Sequence, residues 1–246
     1  MQKSTQIERL SKVIARNTSY SRRQAEKLID EGRVSVDGKK IISQGMNVSE
    51  NNKIFVDKKL INRSTDIQIY IFHKPRGCLV THHDPSNRKT IFDFINEKYR
   101  NLITVGRLDY NSEGLLILTN DGQLKREFEL PKNNYQREYK VKIQGKITDF
   151  IISKISKGIT VKGQKYKSIG LPLPGQTDPS IESQKSTEPT PYTWIRMILT
   201  EGKNREIRKI FDSLNMTVTR LIRVSYGKYR LGKLQKGGLI KVKHYS

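Results

Sequence analysis

The chain has 246 residues, enough for a substantial core in one domain or in two unequal ones. Its 47 Lys and Arg outweigh 24 Asp and Glu, a formal charge of +23 at pH 7, which points to a polyanionic partner, nucleic acid first and an anionic membrane surface second. One cysteine excludes an intramolecular disulfide and a Cys-based zinc site, and four scattered histidines supply no metal-ligand spacing. No apolar run approaches the ~20 residues of a membrane span, and the N-terminus lacks the apolar stretch of a signal peptide; a cytoplasmic, metal-free protein is expected.

Leu10, Val13 and Ile14 recur at helical spacing. Ser21 then stands three residues before Gln24, the pattern of a capping box, ahead of a second helix through Ala25, Leu28 and Ile29 that stops at Gly32. Residues 33–36 alternate as a strand, Asp37-Gly38 marks a two-residue hairpin turn, and Ile54-Phe55-Val56 supplies a later strand. Arg22 and Arg23 open the second helix and Lys27 lies one turn on, placed either for a phosphate or for a solvated basic face. Residues 62–66 read as a polar linker, with a boundary near Thr65.

Residues 67–72 form the next strand, followed by the basic turn His73-Lys74-Pro75-Arg76-Gly77, where Lys74 and Arg76 either grip a backbone phosphate or face solvent. Residues 81–89 are polar and read as a mobile segment. Their His82-His83-Asp84 run does not make a metal site, because neighbouring side chains on an extended chain point to opposite faces. Thr90 caps a short helix through Ile91, Phe92, Phe94 and Ile95.

The most informative stretch is Val105-Gly106-Arg107-Leu108-Asp109, followed by Tyr110 to Gly122. It presents one acid on a loop before Leu115 to Leu118, an uninterrupted apolar run suited to a strand buried on both faces. Asp109 either satisfies turn backbone groups or performs chemistry on a polyanion. A strong turn signal, Asn120-Asp121-Gly122, precedes a short helix around Leu124 to Phe128. Glu138 to Ile143 alternates, with Tyr139, Val141 and Ile143 on one face; Tyr139 is either a core aromatic or a ring that stacks on a base. A short amphipathic helix carries Phe150, Ile151 and Ile155, residues 171–191 read as a surface insertion, and residues 192–199 resume as a strand. Glu201-Gly202-Lys203-Asn204 leads into a helix with Ile207, Ile210, Phe211 and Leu214 on one face, Asn204 as its N-cap and Arg205, Arg208 and Lys209 off the stripe. A final apolar stretch holds Leu221, Ile222, Val224 and Tyr226, with Arg220 and Arg223 among them.

Two resemblances organise these observations. Residues 21–29 with Gly32-Arg33-Val34-Ser35-Val36-Asp37-Gly38 resemble the S4 RNA-binding module. Gly106-Arg107-Leu108-Asp109, Glu138-Tyr139-Lys140-Val141, Glu201 to Arg208 and Arg220 to Gly227, in that order, resemble the RsuA/RluB-type ribosomal RNA pseudouridine synthases, closest to the large-subunit branch. The resemblance implies an α+β chain: an S4-like domain over residues 1–65, two helices then strands, and a catalytic domain over residues 66–246 on a mixed, mainly antiparallel sheet with flanking helices. It also implies that Asp109 matches the catalytic acid, Tyr139 the ring on the target base, Arg208 the cation paired with the acid, and Leu221 the apolar pocket wall. The RNA contacts are then expected from Arg22, Arg23, Lys27, Lys74, Arg76, Arg107, Lys203, Arg205 and Arg223. Ser112 and Ser225 depart from the family pattern, where Thr and Arg are common; the second change is expected to alter an RNA contact.

The implied reaction is the isomerisation of a uridine in ribosomal RNA (23S, with 16S as the alternative) by a monomer that needs no cofactor. An ionised acid beside C1′ suits it, because breaking the glycosidic bond leaves positive character there. A direct Arg208 pair would keep a buried Asp109 charged. Two rivals are a non-catalytic RNA-binding or ribosome-assembly protein, with Asp109 structural, and an N-glycosylase using Asp109 with Glu113 as a carboxylate pair.

Overall fold

A computed structural model describes residues 7–18, 20–62, 66–167, 169–170 and 192–243. The expected boundary at Thr65 and the 171–191 insertion lie outside the described residues.

The N-terminal unit contains β1 (Glu8–Arg9), α1 (Leu10–Asn17), α2 (Arg22–Asp30), β2 (Val34–Val36), β3 (Lys39–Ile41), β4 (Asn47–Val48), β5 (Ile54–Val56) and β6 (Lys59–Leu60). The capping box forms as its spacing predicts: Gln24 N–H donates to Ser21 Oγ at 3.3 Å and Ser21 N–H to Gln24 Oε1 at 2.7 Å. The apolar stripes of α1 and α2 close on Val34, Val36 and Ile54, so the helices and the sheet β3-β2-β5-β6 bury a common core. Asp37 and Gly38 both have positive φ, the backbone a tight β2–β3 hairpin requires.

The larger unit holds β7 (Ile69–Lys74), β8 (Ile103–Val105), β9 (Glu113–Thr119), α3 (Gly122–Glu129), β10 (Arg137–Gln144), α4 (Asp149–Ser156), β11 (Ile159–Val161), β12 (Gln164–Tyr166), β13 (Tyr192–Leu199), α5 (Glu206–Asp212), β14 (Thr217–Tyr226), β15 (Tyr229–Arg230) and β16 (Leu239–Val242). Its main sheet runs β13-β10-β14-β9-β7-β16, with β8 also on β9 and β15 on β14. The pairings are antiparallel except β9–β14, so the sheet is mixed and mainly antiparallel. All seven residues of β9 are buried. Its alternation explains why: Leu115 and Ile117 join Ile69, Ile71 and the α3 residues Leu124 and Phe128 on one face, while Leu116 and Leu118 join Tyr70, Phe72, Ile91 and Phe92 on the other.

Gly114 carries the joint between β9 and β14. Its φ is +109°, and a Cβ there would stand 2.2 Å from the Arg223 carbonyl oxygen. Only glycine lets these parallel strands approach so closely, and the approach brings the end of the Asp109 loop to the middle of β14.

Three local expectations change. Asp121, read as part of a turn, caps α3, its Oδ1 accepting from Gln123 and Leu124 N–H at 2.9 and 2.7 Å. Asn204 does not cap the next helix: α5 starts at Glu206 behind a left-handed Arg205 (φ 52°). The Glu206 side chain reaches back instead, Oε2 accepting from Lys203 N–H at 3.1 Å. The polar 81–89 segment is tied down rather than loose, because Leu79 N–H donates to Lys89 O at 2.8 Å and Arg88 clamps the Asp84 carboxylate at 2.8 and 3.0 Å. Among the described residues no helix is long and apolar enough to cross a membrane.

Candidate active site

Asp109 stands on the loop that joins β8 to β9, and main-chain contacts fix that loop. Lys74 Nζ, at the end of β7, donates to the carbonyls of Asp109 and Ser112 at 3.1 and 2.9 Å, and to Pro75 O at 3.1 Å. Gly77 N–H donates to Tyr110 O at 2.9 Å and Ser112 N–H to Asp109 O at 3.0 Å. At the loop's start Gly106 N–H meets Glu129 Oε1 at 2.6 Å. Asp109 thus projects from a clamped backbone while its side chain stays half-buried.

The loop borders a cleft of roughly 870 Å³, lined also by Tyr139, Leu221, Arg107, Lys203 and Arg205; this lies within the range of roughly 300–1,000 Å³ typical of ligand sites. Tyr139 enters from β10, where the register sets it between Met197 and Arg223. It packs on the core and also lines the cleft, as a core aromatic whose ring still reaches the cavity. Leu221, 6% exposed, contributes its wall from β14. Asp109, Tyr139 and Leu221, more than 100 positions apart at the extremes, therefore meet in one cavity.

Arg208 lies near this group without the expected direct pair to Asp109. Its Nη1 donates to Val218 O at 2.8 Å and its Nη2 to Asn111 O at 3.2 Å; among the described residues it makes no ion pair with Asp109 within 4.0 Å. Burial, then Arg205, push the Arg208 pKa below its ordinary value, and the Asp109 charge opposes them. The guanidinium is thus tied to the Asp109 loop through the Asn111 carbonyl two residues along, because the main-chain carbonyls of the loop and of β14 occupy its fork.

One expected RNA contact is overturned and another is moved inside the cleft. Lys74 is fully buried, so it cannot hold a phosphate; its donors serve loop carbonyls, and burial pushes its pKa down. Arg223, 2% exposed, lines the cleft itself: strand alternation turns it to the same face as Leu221, where Nε donates to Leu115 O at 2.7 Å and the guanidinium lies 5.2 Å from the Tyr226 ring centroid. Ser225 is likewise buried, 4% exposed opposite Glu138, so its departure from the family pattern acts inside the sheet. Arg22, Arg23, Lys27, Arg76, Arg107 and Arg205 are exposed. Arg22 and Lys27 pair with Glu26 and Glu31 along α2 at 3.3 and 3.7 Å. Lys203 is half-buried and ties Glu201 at 2.9 Å and Lys165 O at 2.5 Å.

The structure adds groups that spacing and composition did not single out. Glu206 is 4% exposed on the cleft wall and faces the Glu201 carboxyl. Burial, then the Glu201 charge and hydrogen bond, push its pKa up to about 7, while Glu201, held by Lys167 N–H and Lys203 Nζ, stays below its ordinary value. Below neutrality the pair shares one proton, so the buried Glu206 need not carry a second charge beside Glu201. Arg137, at the start of β10, donates to Tyr226 Oη at 2.7 Å and Thr200 O at 3.2 Å and lies over the Tyr226 ring at 4.4 Å. Nothing near it in sequence marks it; only the fold brings residues 137, 200 and 226 together.

Residues 68–213 match the family model described as RNA pseudouridylate synthase, and residues 8–62 match the S4 domain. A ribosomal large subunit pseudouridine synthase B of Yersinia pestis is 35% identical over 240 residues, covering 94% of this chain and 71% of that protein. An uncharacterized RNA pseudouridine synthase of Rickettsia felis is 42% identical over 231 residues, covering 94% and 95%. A solved structure, described as the crystal structure of pseudouridylate synthase, superposes over 96% of each chain with a TM-score of 0.63 at 25% identity. With an S4 domain ahead of a synthase domain and an acid, an aromatic ring and an apolar wall around one cleft, the chain belongs to the RNA pseudouridylate synthases of the RsuA/RluB type.

Proposed function

We propose that this enzyme converts one uridine of ribosomal RNA, in the 23S molecule of the large subunit, to pseudouridine, with Asp109 as the acting carboxylate. It works in the cytoplasm as a monomer, and its RNA-binding and catalytic domains divide at residues 65 and 66. The observation that carries this reading is the meeting of Asp109, Tyr139 and Leu221 in a cleft with Arg107 and Arg205 on its walls. The likeness to a ribosomal large subunit synthase supports the choice of RNA.

In the isomerisation the C1′–N1 bond breaks, a C1′–C5 bond forms, C5 loses a proton and N1 gains one. Atoms and oxidation state are conserved, so the reaction calls for no redox cofactor. Asp109 faces the sugar, where an ionised carboxylate serves as nucleophile at C1′, as counter-charge to it, or as base. Tyr139 and Leu221 enclose the extruded base and keep the detached uracil in place for its second bond. Extrusion costs a few kcal/mol and least at a bulged or single-stranded position. The N-terminal domain and the exposed arginines hold the RNA through backbone and shape.

The glycosylase alternative requires a second acid beside Asp109. Glu113 is fully buried and bound to Arg220 at 2.5 Å and Lys236 at 3.0 Å, and it does not line the cleft. The test uses 23S and 16S transcripts tritiated at uracil C5. Wild-type protein releases tritium from the 23S transcript without releasing uracil, and Asp109→Asn abolishes release while still binding RNA. Full turnover by Asp109→Asn overturns the role of Asp109, and release from the 16S transcript alone overturns the choice of subunit.

A further inference from the structure

We propose that His82 is a stacking platform for the nucleobase next to the target uridine, a subsite separate from the pocket that receives the target itself. The proposal rests on the reading of the cleft as a uridine site. The His82 ring lies parallel to Phe92, centroids 3.9 Å apart and planes 18° from each other. Phe92 is only 4% exposed, whereas His82 is exposed. One face of the imidazole is therefore backed by the core and the remainder of the side chain looks outward.

His82 does not itself line the cleft, but residues beside it do. Val80, two residues before it, lines the cleft, and so does Lys125, whose charge acts on His82 together with that of Arg100. Two cations beside a flat ring form the pairing that binds single-stranded nucleic acid: backbone charge is met while a base stacks. Burial of its backed face first, and then Arg100 and Lys125, push the His82 pKa below its ordinary value, so at neutral pH the ring is uncharged and offers a stacking surface rather than an ion pair.

The segment is also held in advance. Thr81 Oγ donates to His83 O at 2.8 Å, and Leu79 and Ile91 carry main-chain bonds at its base. Asp84, the remaining polar member of the run, is occupied by Arg88 at 2.8 Å. A ring fixed before RNA arrives loses little freedom on stacking.

The test measures KM and kcat on the C5-tritiated 23S transcript for His82→Ala and His82→Phe, and the fluorescence of His82→Trp against wild type, whose sole tryptophan is Trp194. His82→Ala is expected to raise KM about tenfold with kcat within twofold, the size of one lost base–aromatic stack. His82→Phe is expected to restore KM, and the fluorescence added by His82→Trp to be quenched when the transcript is added. An unchanged KM in His82→Ala, or an unquenched signal from a His82→Trp variant that still modifies the RNA, overturns the proposal. Failure of wild type on both transcripts would instead remove the uridine-site reading. If His82→Ala does not fold, the quenching experiment decides.

Discussion

Lys74 Nζ donates to the main-chain carbonyl of Asp109 at 3.1 Å, from a side chain with no exposed surface. A buried ammonium on β7 thus sets the backbone from which the acid projects, and it reaches Ser112 O at the loop's other end as well. Its charge serves the loop's shape and leaves none for the RNA.

Lys74→Met tests this arrangement. It strands several buried carbonyls and is expected to lower stability by about 2–4 kcal/mol, measured by urea denaturation. The kcat should fall at least tenfold while RNA affinity and its salt dependence stay unchanged. A phosphate contact would instead weaken binding and flatten the dependence on log salt by about one unit.

Arg208→Lys keeps a positive charge near Asp109 but loses the fork that spans Asn111 O and Val218 O. Single-turnover rates should fall roughly 10- to 100-fold, consistent with a misplaced catalytic group, with little change in RNA affinity. A near-normal rate would mean that charge alone suffices and the carbonyl contacts are incidental.

Glu206 gives a pH signature. Its folded pKa, about 7, lies above the ordinary carboxyl value, so the folded state binds more protons than the unfolded chain between roughly pH 4.5 and 7. Stability is accordingly expected to decline as pH rises through that window and to level off above it. Glu206→Gln, which keeps a donor toward Glu201 without a titrating proton, should be more stable than wild type at pH 8 by on the order of 2 kcal/mol and equal to it near pH 4. Melting curves across that range check the sign; a variant less stable at pH 8 would refute the shared proton.

Glu113 should behave oppositely. Despite burial, its hydrogen bonds and charges from Arg220 and Lys236 hold its pKa below the ordinary value, so its contribution is present above the unfolded pKa and disappears as pH falls through the folded one. Glu113→Gln is expected to cost about 1–3 kcal/mol at pH 7, with the deficit shrinking toward pH 3. Turnover per folded molecule should persist, whereas a second catalytic carboxylate would lose it.

The local grammar of the chain was legible without coordinates. The Ser21 capping box, the Asp37-Gly38 hairpin, the doubly buried β9 and the alternation that turns Tyr139 inward all follow from neighbours a few positions apart, because capping, turn and pleat geometry are short-range. The ordered motifs also named the acid, ring and apolar wall that the cleft unites. What sequence misjudged were charges. Lys74 belongs to a basic stretch that reads as an RNA contact, yet the sheet turns it inward, and the Glu206 pKa rises beside Glu201 only when α5 folds against the cleft wall. Whether a cation meets solvent, a carbonyl or a phosphate depends on which strands lie beside it, and partners such as Lys74 with Asp109 or Arg208 with Asn111 are joined by strand order and by the Gly114 crossing, not by spacing along the chain. Burial then fixes each group's protonation and task, since desolvation depends on everything packed around it.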